Sequence, residues 1–137
     1  MAGEDLVKII EIVNEYKLLI TETCKKISNE LQALKSVGGK TDKIEELIIE
    51  LSNNLSNIGG FCSKSDQIKI LKIEHFLSQI ITFKDNDINI IYELKSLLPF
   101  ISGFIIDFKH RPFKLIDFEI ESPIKEIISK FKLKLER

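Results

Sequence analysis

The stretch EDLVKIIEIVNEYKLLITETCKKISNELQALKS, Glu4 to Ser36, decides the fold. Leu6, Val13, Ile20, Ile27 and Leu34 recur every seven residues, and Ile9 or Ile10, Tyr16, Cys24 and Leu31 fill the intermediate steps. This spacing predicts one helix with a continuous apolar stripe. At 1.5 Å per residue such a helix is roughly 50 Å long, more than one small domain needs to cover. Something must lie along it: later helices of this chain, a second copy, or a partner.

Outward from that helix, Val37-Gly38-Gly39 reads as its end and Thr41 or Asp42 as the cap of the next, with Glu45 in capping-box spacing from Asp42. Ile44, Leu47, Ile48, Leu51, Leu55 and Ile58 form the second apolar face, and the short connection predicts an antiparallel hairpin. Gly59-Gly60 closes that helix. Ser65 or Asp66 then caps a third, whose apolar positions are Ile70, Ile73, Leu77, Ile80 and Ile81. The polar run Lys84 to Asn89 reads as a turn, within a third-to-fourth helix connection or within a β-hairpin pairing Ile80–Phe83 with Ile88–Ile91. A fourth helix, about Asp87 to Phe108, is apolar nearly all round, which predicts a buried centre, and Pro99 predicts a kink or break in it.

After the loop His110-Arg111-Pro112 the pattern changes. Ile116, Phe118 and Ile120 alternate with Asp117, Glu119 and Glu121, the periodicity of an extended strand. A single strand leaves its backbone groups unpaired, so residues 114–121 are expected to strap over the bundle or pair outside the chain. Ser122-Pro123 is a helix start, and Ile124, Ile127, Ile128, Phe131 and Leu135 face one side of a last helix. The expectation is a single all-α domain over residues 1–137: a bundle of about five helices with a long N-terminal helix and one extended strap.

Composition narrows the function. Lys plus Arg number 20 against 21 Asp plus Glu, a formal net charge of −1, which excludes a generally basic nucleic-acid binder but not a local basic face. Cys24 and Cys62 form no CxxC, and the chain has two histidines, a pattern for reduced thiols and for neither zinc nor disulfides. His75 is followed by Phe76-Leu77-Ser78 and not by the Lys and Gly of a phosphotransfer histidine. Neither His75 nor His110 has the Glu three residues earlier that di-iron bundles use. The glycine pairs lack the spacing and lysine of a phosphate loop, and no GxSxG elbow is present. These readings predict a non-enzymatic protein with no metal or other cofactor. The charged N-terminus and a longest apolar run of about ten residues, roughly half a bilayer span, predict a soluble, cytoplasmic chain.

Charge is unevenly spread: segments 37–62 and 85–106 are acidic on balance, whereas 63–84 and 122–137 are basic. If the third and fourth helices pack antiparallel, Lys64, Lys69 and Lys72 come beside Lys109 and Arg111. Such a cluster neutralises phosphates without reading sequence. Ser65-Asp66-Gln67-Ile68-Lys69, followed by a helix, a polar gap and Glu93-Leu94-Lys95-Ser96-Leu97-Leu98-Pro99 leading to Arg111, resembles the core of the Csm-type small subunit of type III CRISPR effector complexes. The resemblance spans residues 63–111. Lys69 stands where that family has an arginine, His110-Arg111 replaces a Gly-Arg pair, and Ile105–Lys109 is additional. It implies a small all-α subunit that lies along guide and target RNA, touches the backbone through basic residues and performs no chemistry.

Two functions are therefore expected from the sequence. One is a non-catalytic RNA-backbone-binding subunit of a multi-protein ribonucleoprotein, with Lys64, Lys69, Lys72, Lys109 and Arg111 on RNA. In that reading Leu6, Val13, Ile20, Ile116, Phe118 and Ile120 face neighbouring subunits. The alternative is a helical homo-oligomer or adaptor with no nucleic acid, suggested by the excess length of the first helix and the unpaired strap.

Overall fold

The architecture is given by a computed structural model that describes residues 2–37 and 41–109, with side chains for all of these except residues 2–6, 36 and 37. Arg111, the alternating segment 114–121 with Ile116, Phe118 and Ile120, and the last helix expected from Pro123 lie outside the described residues. So does the side chain of Leu6. Among the described residues the fold is all-α: α1 (Ala2–Val37), α2 (Asp42–Gly59), α3 (Lys64–Phe83), a short 3-10 helix (Ile88–Glu93) and α4 (Leu94–Asp107). The hairpin weighed for 80–91 does not form, because Ile80–Phe83 complete α3 and Ile88–Ile91 belong to the 3-10 turn.

Helix α1 buries Ile9, Ile12, Val13, Ile20, Cys24, Ile27, Leu31 and Leu34, a stripe stepping by three and four residues. Ile9 is the buried member of the Ile9–Ile10 pair, and Ile10 faces solvent. The most extensive helix contact is α1 on α2, followed by α2 on α3 and α1 on α4. Lys43 at the start of α2 pairs with Glu30 at 3.0 Å, as an antiparallel hairpin requires. Helix α4 also runs antiparallel to α1: Lys17 Nζ lies 5.8 Å over the Phe108 ring, and Cys24 meets Ser102. The centre is thus the α1–α2 seam.

That arrangement corrects the expected burial of the fourth helix. Leu94, Leu98, Ile101 and Ile105 are buried, but Phe100 is 56% and Ile106 73% exposed. Apolar residues all round do not bury a helix that has one packed side only. Nor does Pro99 break it, since α4 is continuous from Leu94 to Asp107. Proline there removes the N–H that would bond the Lys95 carbonyl, and the change of helix type comes earlier, between Glu93 and Leu94. The stretch Ile88–Asp107, 20 residues with mean hydropathy 1.3, is long and apolar enough to cross a membrane by length and composition, twice the run read from sequence. Its four most buried side chains belong to the protein core.

The helix ends also differ from the sequence reading. Helix α3 is capped by Ser63, whose Oγ accepts from the Asp66 N–H at 3.4 Å, so Ser65 and Asp66 are already inside its first turn. Thr41 stands at the N-cap of α2 without capping it through its side chain. Its Oγ1 accepts instead from Lys84 Nζ at 3.1 Å. The Lys84 side chain is only 4% exposed, and its ammonium also meets Asp85 at 3.1 Å and Glu45 at 3.7 Å. One lysine therefore ties the end of α3 to the beginning of α2. At the opposite end of that hairpin the Gly59 carbonyl accepts from Gln67 Nε2 at 3.1 Å and from Cys62 Sγ at 3.2 Å. Gly60 is in the right-handed helical region, so no left-handed turn ends α2.

Leu51 is fully buried on α2. Leu51→Ala is expected to lower unfolding stability by about 2–5 kcal/mol in urea titration, through lost apolar transfer and a residual cavity. Ile106→Ala, at an exposed position, should stay within about 0.5 kcal/mol of the parent.

Candidate functional site

The residues expected to bind RNA divide as follows. Lys64, Lys69 and Lys72 are all exposed on α3, and Lys109 is exposed just past α4. Asp66 and Lys69 line the same opening as Phe104, Asp107 and Phe108, about 530 Å³ in volume. The start of α3 and the end of α4 are therefore side by side, which is the geometry the cluster needs. The same opening carries two carboxylates. Lys69 Nζ is 3.8 Å from Asp66 Oδ1, and Asp107 stands opposite. The surface is mixed in charge rather than uniformly basic.

Val13 and Ile20, expected at a subunit interface, are 3% and 0% exposed within the single chain. They are used in the internal core, so this part of the interface assignment is corrected. The α1 stripe that suggested an outside partner is covered from within. Apolar surface is left elsewhere. Phe76, Leu97 and Phe100 border a second opening of about 440 Å³ between α3 and α4. Phe100 and Phe104 stand four residues apart on α4, and Phe108, just past its end and buried, meets Phe104 edge to face at 6.1 Å. Ile68 and Leu71 on α3 are also exposed, at 54% and 63%, away from the residues that line this opening.

This groove was not read from the sequence. The signal was present as the Phe100-Phe104-Phe108 ladder, a second row on α4 distinct from Leu94-Leu98-Ile101-Ile105. Helix α3 reaches the rest of the bundle through α2 and the 3-10 turn, whereas α4 rests on α1. Among the described residues, openings are left between the facing sides of these two helices.

Among the described residues no set of His, Cys, Asp and Glu converges on a metal position. His75 is exposed on α3 with its Nε2 3.3 Å from Gln79 Nε2, and burial pushes the neighbouring Glu74 carboxyl up from its ordinary value. Burial also pushes the Cys24 thiol up to about 11, against a smaller opposing effect of its hydrogen bond with Ser102. A thiol with that environment is a poor nucleophile at neutral pH. The chain matches no protein-family model, no curated protein and no solved structure.

The Cys24 shift sets a pH dependence. The folded thiol keeps its proton to about 11 while the unfolded thiol ionises near 9.0. The folded state then holds more protons across that interval, so its stability is full below pH 9 and falls as pH rises through 11. Tyr16, pushed up by burial from 10.0, and Lys84, pushed up from 10.5 first by its hydrogen bond to Asp85, act in the same direction. Urea midpoints measured from pH 8 to 11 should fall steadily, and Cys24→Ala should flatten the part between 9 and 11.

Proposed function

We propose that the chain is a non-catalytic helical subunit that pairs with a second copy of itself through the open α3–α4 side. The observation that carries this reading is the aromatic groove, with Phe76, Leu97 and Phe100 around its opening and Phe100 more than half exposed. Contiguous apolar surface on a soluble protein marks a contact site. A two-fold contact sets a patch against itself and so must be self-complementary. Lys69 and Lys109 with Asp66 and Asp107 supply both signs at one end of the groove. The reading includes the fifth helix from Pro123 and the strap at 114–121, supported by the Ser122-Pro123 start and the alternation of Ile116, Phe118 and Ile120. It places the protein in the cytoplasm and assigns it no cofactor.

A second reading is the RNA-backbone-binding subunit of a type III CRISPR-like effector. It is supported by the adjacency of the α3 start and the α4 end, where Lys69 lines the shared opening and Lys64, Lys72 and Lys109 are exposed. Asp66 and Asp107 weigh against it, because each reduces the field a phosphate would meet.

Sedimentation at a series of concentrations separates the two. Self-pairing predicts a dimer whose mass changes little with salt and that Phe100→Asp converts to monomer without loss of helical signal. A wild-type protein that stays monomeric at high concentration overturns it. The RNA reading predicts binding to a 30-nucleotide RNA that weakens steeply between low and moderate salt, and at least about tenfold when Lys69, Lys72 and Arg111 are all changed to Ala.

A further inference from the structure

The antiparallel seam between α1 and α4 does not close along its length. Where Thr21, Cys24 and Ser28 of α1 face Pro99 and Ser102 of α4, small side chains leave a cleft of about 540 Å³. Interiors pack to crystal density when the facing side chains are large enough to interlock, and these are not. The volume falls within the range of small-molecule sites. Leu31 and Leu98, both buried, form the aliphatic part of its wall together with Pro99.

Three lysines stand at this cleft: Lys25 and Lys35 from α1 and Lys95 from α4. All three are exposed, no Asp or Glu lines the cleft, and none of the three makes an ion pair among the described residues. This contrasts with the α3 lysine surface, where Asp66 and Asp107 intervene. Lys35 alone has a local explanation, since a cation in the last turn of a helix complements the macrodipole. Lys25 lies mid-helix. Lys95 likewise lies within a continuous helical run, because the 3-10 helix leads into α4 without a break. Three cations converging on one opening without a counter-charge favour an anion there.

The wall decides what carries that anion. Among the described residues no aromatic ring lines the cleft, so they offer no platform for a stacked base. It offers aliphatic surface, with the hydroxyl of Ser28 and the amide of Gln32 near the lysines. We propose that the α1–α4 cleft binds an amphipathic anion, a phosphate or carboxylate head on an aliphatic chain, with Lys25, Lys35 and Lys95 holding the head and Leu31, Leu98 and Pro99 the chain. This site is separate from the α3–α4 groove and does not depend on self-pairing.

Calorimetric titration of the full chain with butyl, hexyl and octyl phosphate, each below its micelle concentration, tests it. Affinity should rise about two- to fourfold per added methylene, the increment expected for partial to full burial of each CH₂. Inorganic phosphate should bind far more weakly than the octyl ester. Changing Lys25, Lys35 and Lys95 together to Gln should weaken octyl phosphate at least tenfold. Ser28→Leu, which fills the cleft from an exposed position and leaves the charges in place, should abolish binding with the helical signal retained. Changing Lys64, Lys69 and Lys72 to Gln should leave it unaltered. Pelleting with phosphatidylglycerol vesicles and not with phosphatidylcholine, lost in the same cleft variants, would make a bilayer headgroup the source. Binding in solution without pelleting makes it a free single-chain anion. Failure of all three esters to bind, an affinity flat across the series, or binding indifferent to both cleft variants overturns the proposal.

Discussion

Everything described here depends on the apolar stripe of α1 and on how it is shared. A helix of 36 residues carries more buried surface than one neighbour can cover, and α2, half its length, takes one flank while α4 takes another. Helix α3 packs chiefly on α2 and is tied to it by Lys84 at one end and by Gln67 at the other. Among the described residues the bundle therefore has three main helix seams and a fourth side where openings lie between α3 and α4. The aromatic groove is the geometric remainder of that partition.

The two openings that matter most arise for different reasons. The α3–α4 groove is wide because its helices answer to different partners, and its side chains are large: Phe76, Phe100 and Phe104. The α1–α4 cleft lies in a seam that is otherwise packed, and it is open because its side chains are small. Large apolar residues around a wide gap suit another protein surface. Small residues and an aliphatic wall beneath cations that are unpaired among the described residues suit an anion with an aliphatic chain. The molecule thus separates a contact surface from a ligand surface on opposite flanks of α4.

Much of the fold was legible in the sequence wherever one periodic stripe stood alone. Val13, Ile20, Ile27 and Leu34 at heptad spacing, and the face of α2 from Ile44 to Ile58, are buried as their spacing requires. Legibility failed where local pattern underdetermines tertiary placement. Helix α4 is apolar on several sides, so periodicity could not tell which side meets α1, and Phe100 and Ile106 turned out exposed. Lys84 follows a helix end and reads as solvent-facing, yet long-range contacts with Thr41 and Glu45 bury it. Of the candidate site, the exposure of Lys64, Lys69 and Lys72 followed from their place on α3. The intervening Asp107 did not, because it arrives from another helix. The cleft was invisible for the same reason: Ser28 and Ser102 are unremarkable singly, and only their opposition across a seam creates space.

The position of α4 has a consequence for the order in which the molecule is put together. Contacts of α1 with α2 and of α2 with α3 join neighbours in the chain, whereas α4 returns to α1 from roughly 80 residues away, so its docking carries the largest loop-closure cost. Both openings have α4 as a wall and exist only while it is docked. Any occupant of either one draws on the same docked position of this helix, so the two sites, which share Pro99 as a wall residue, are energetically linked.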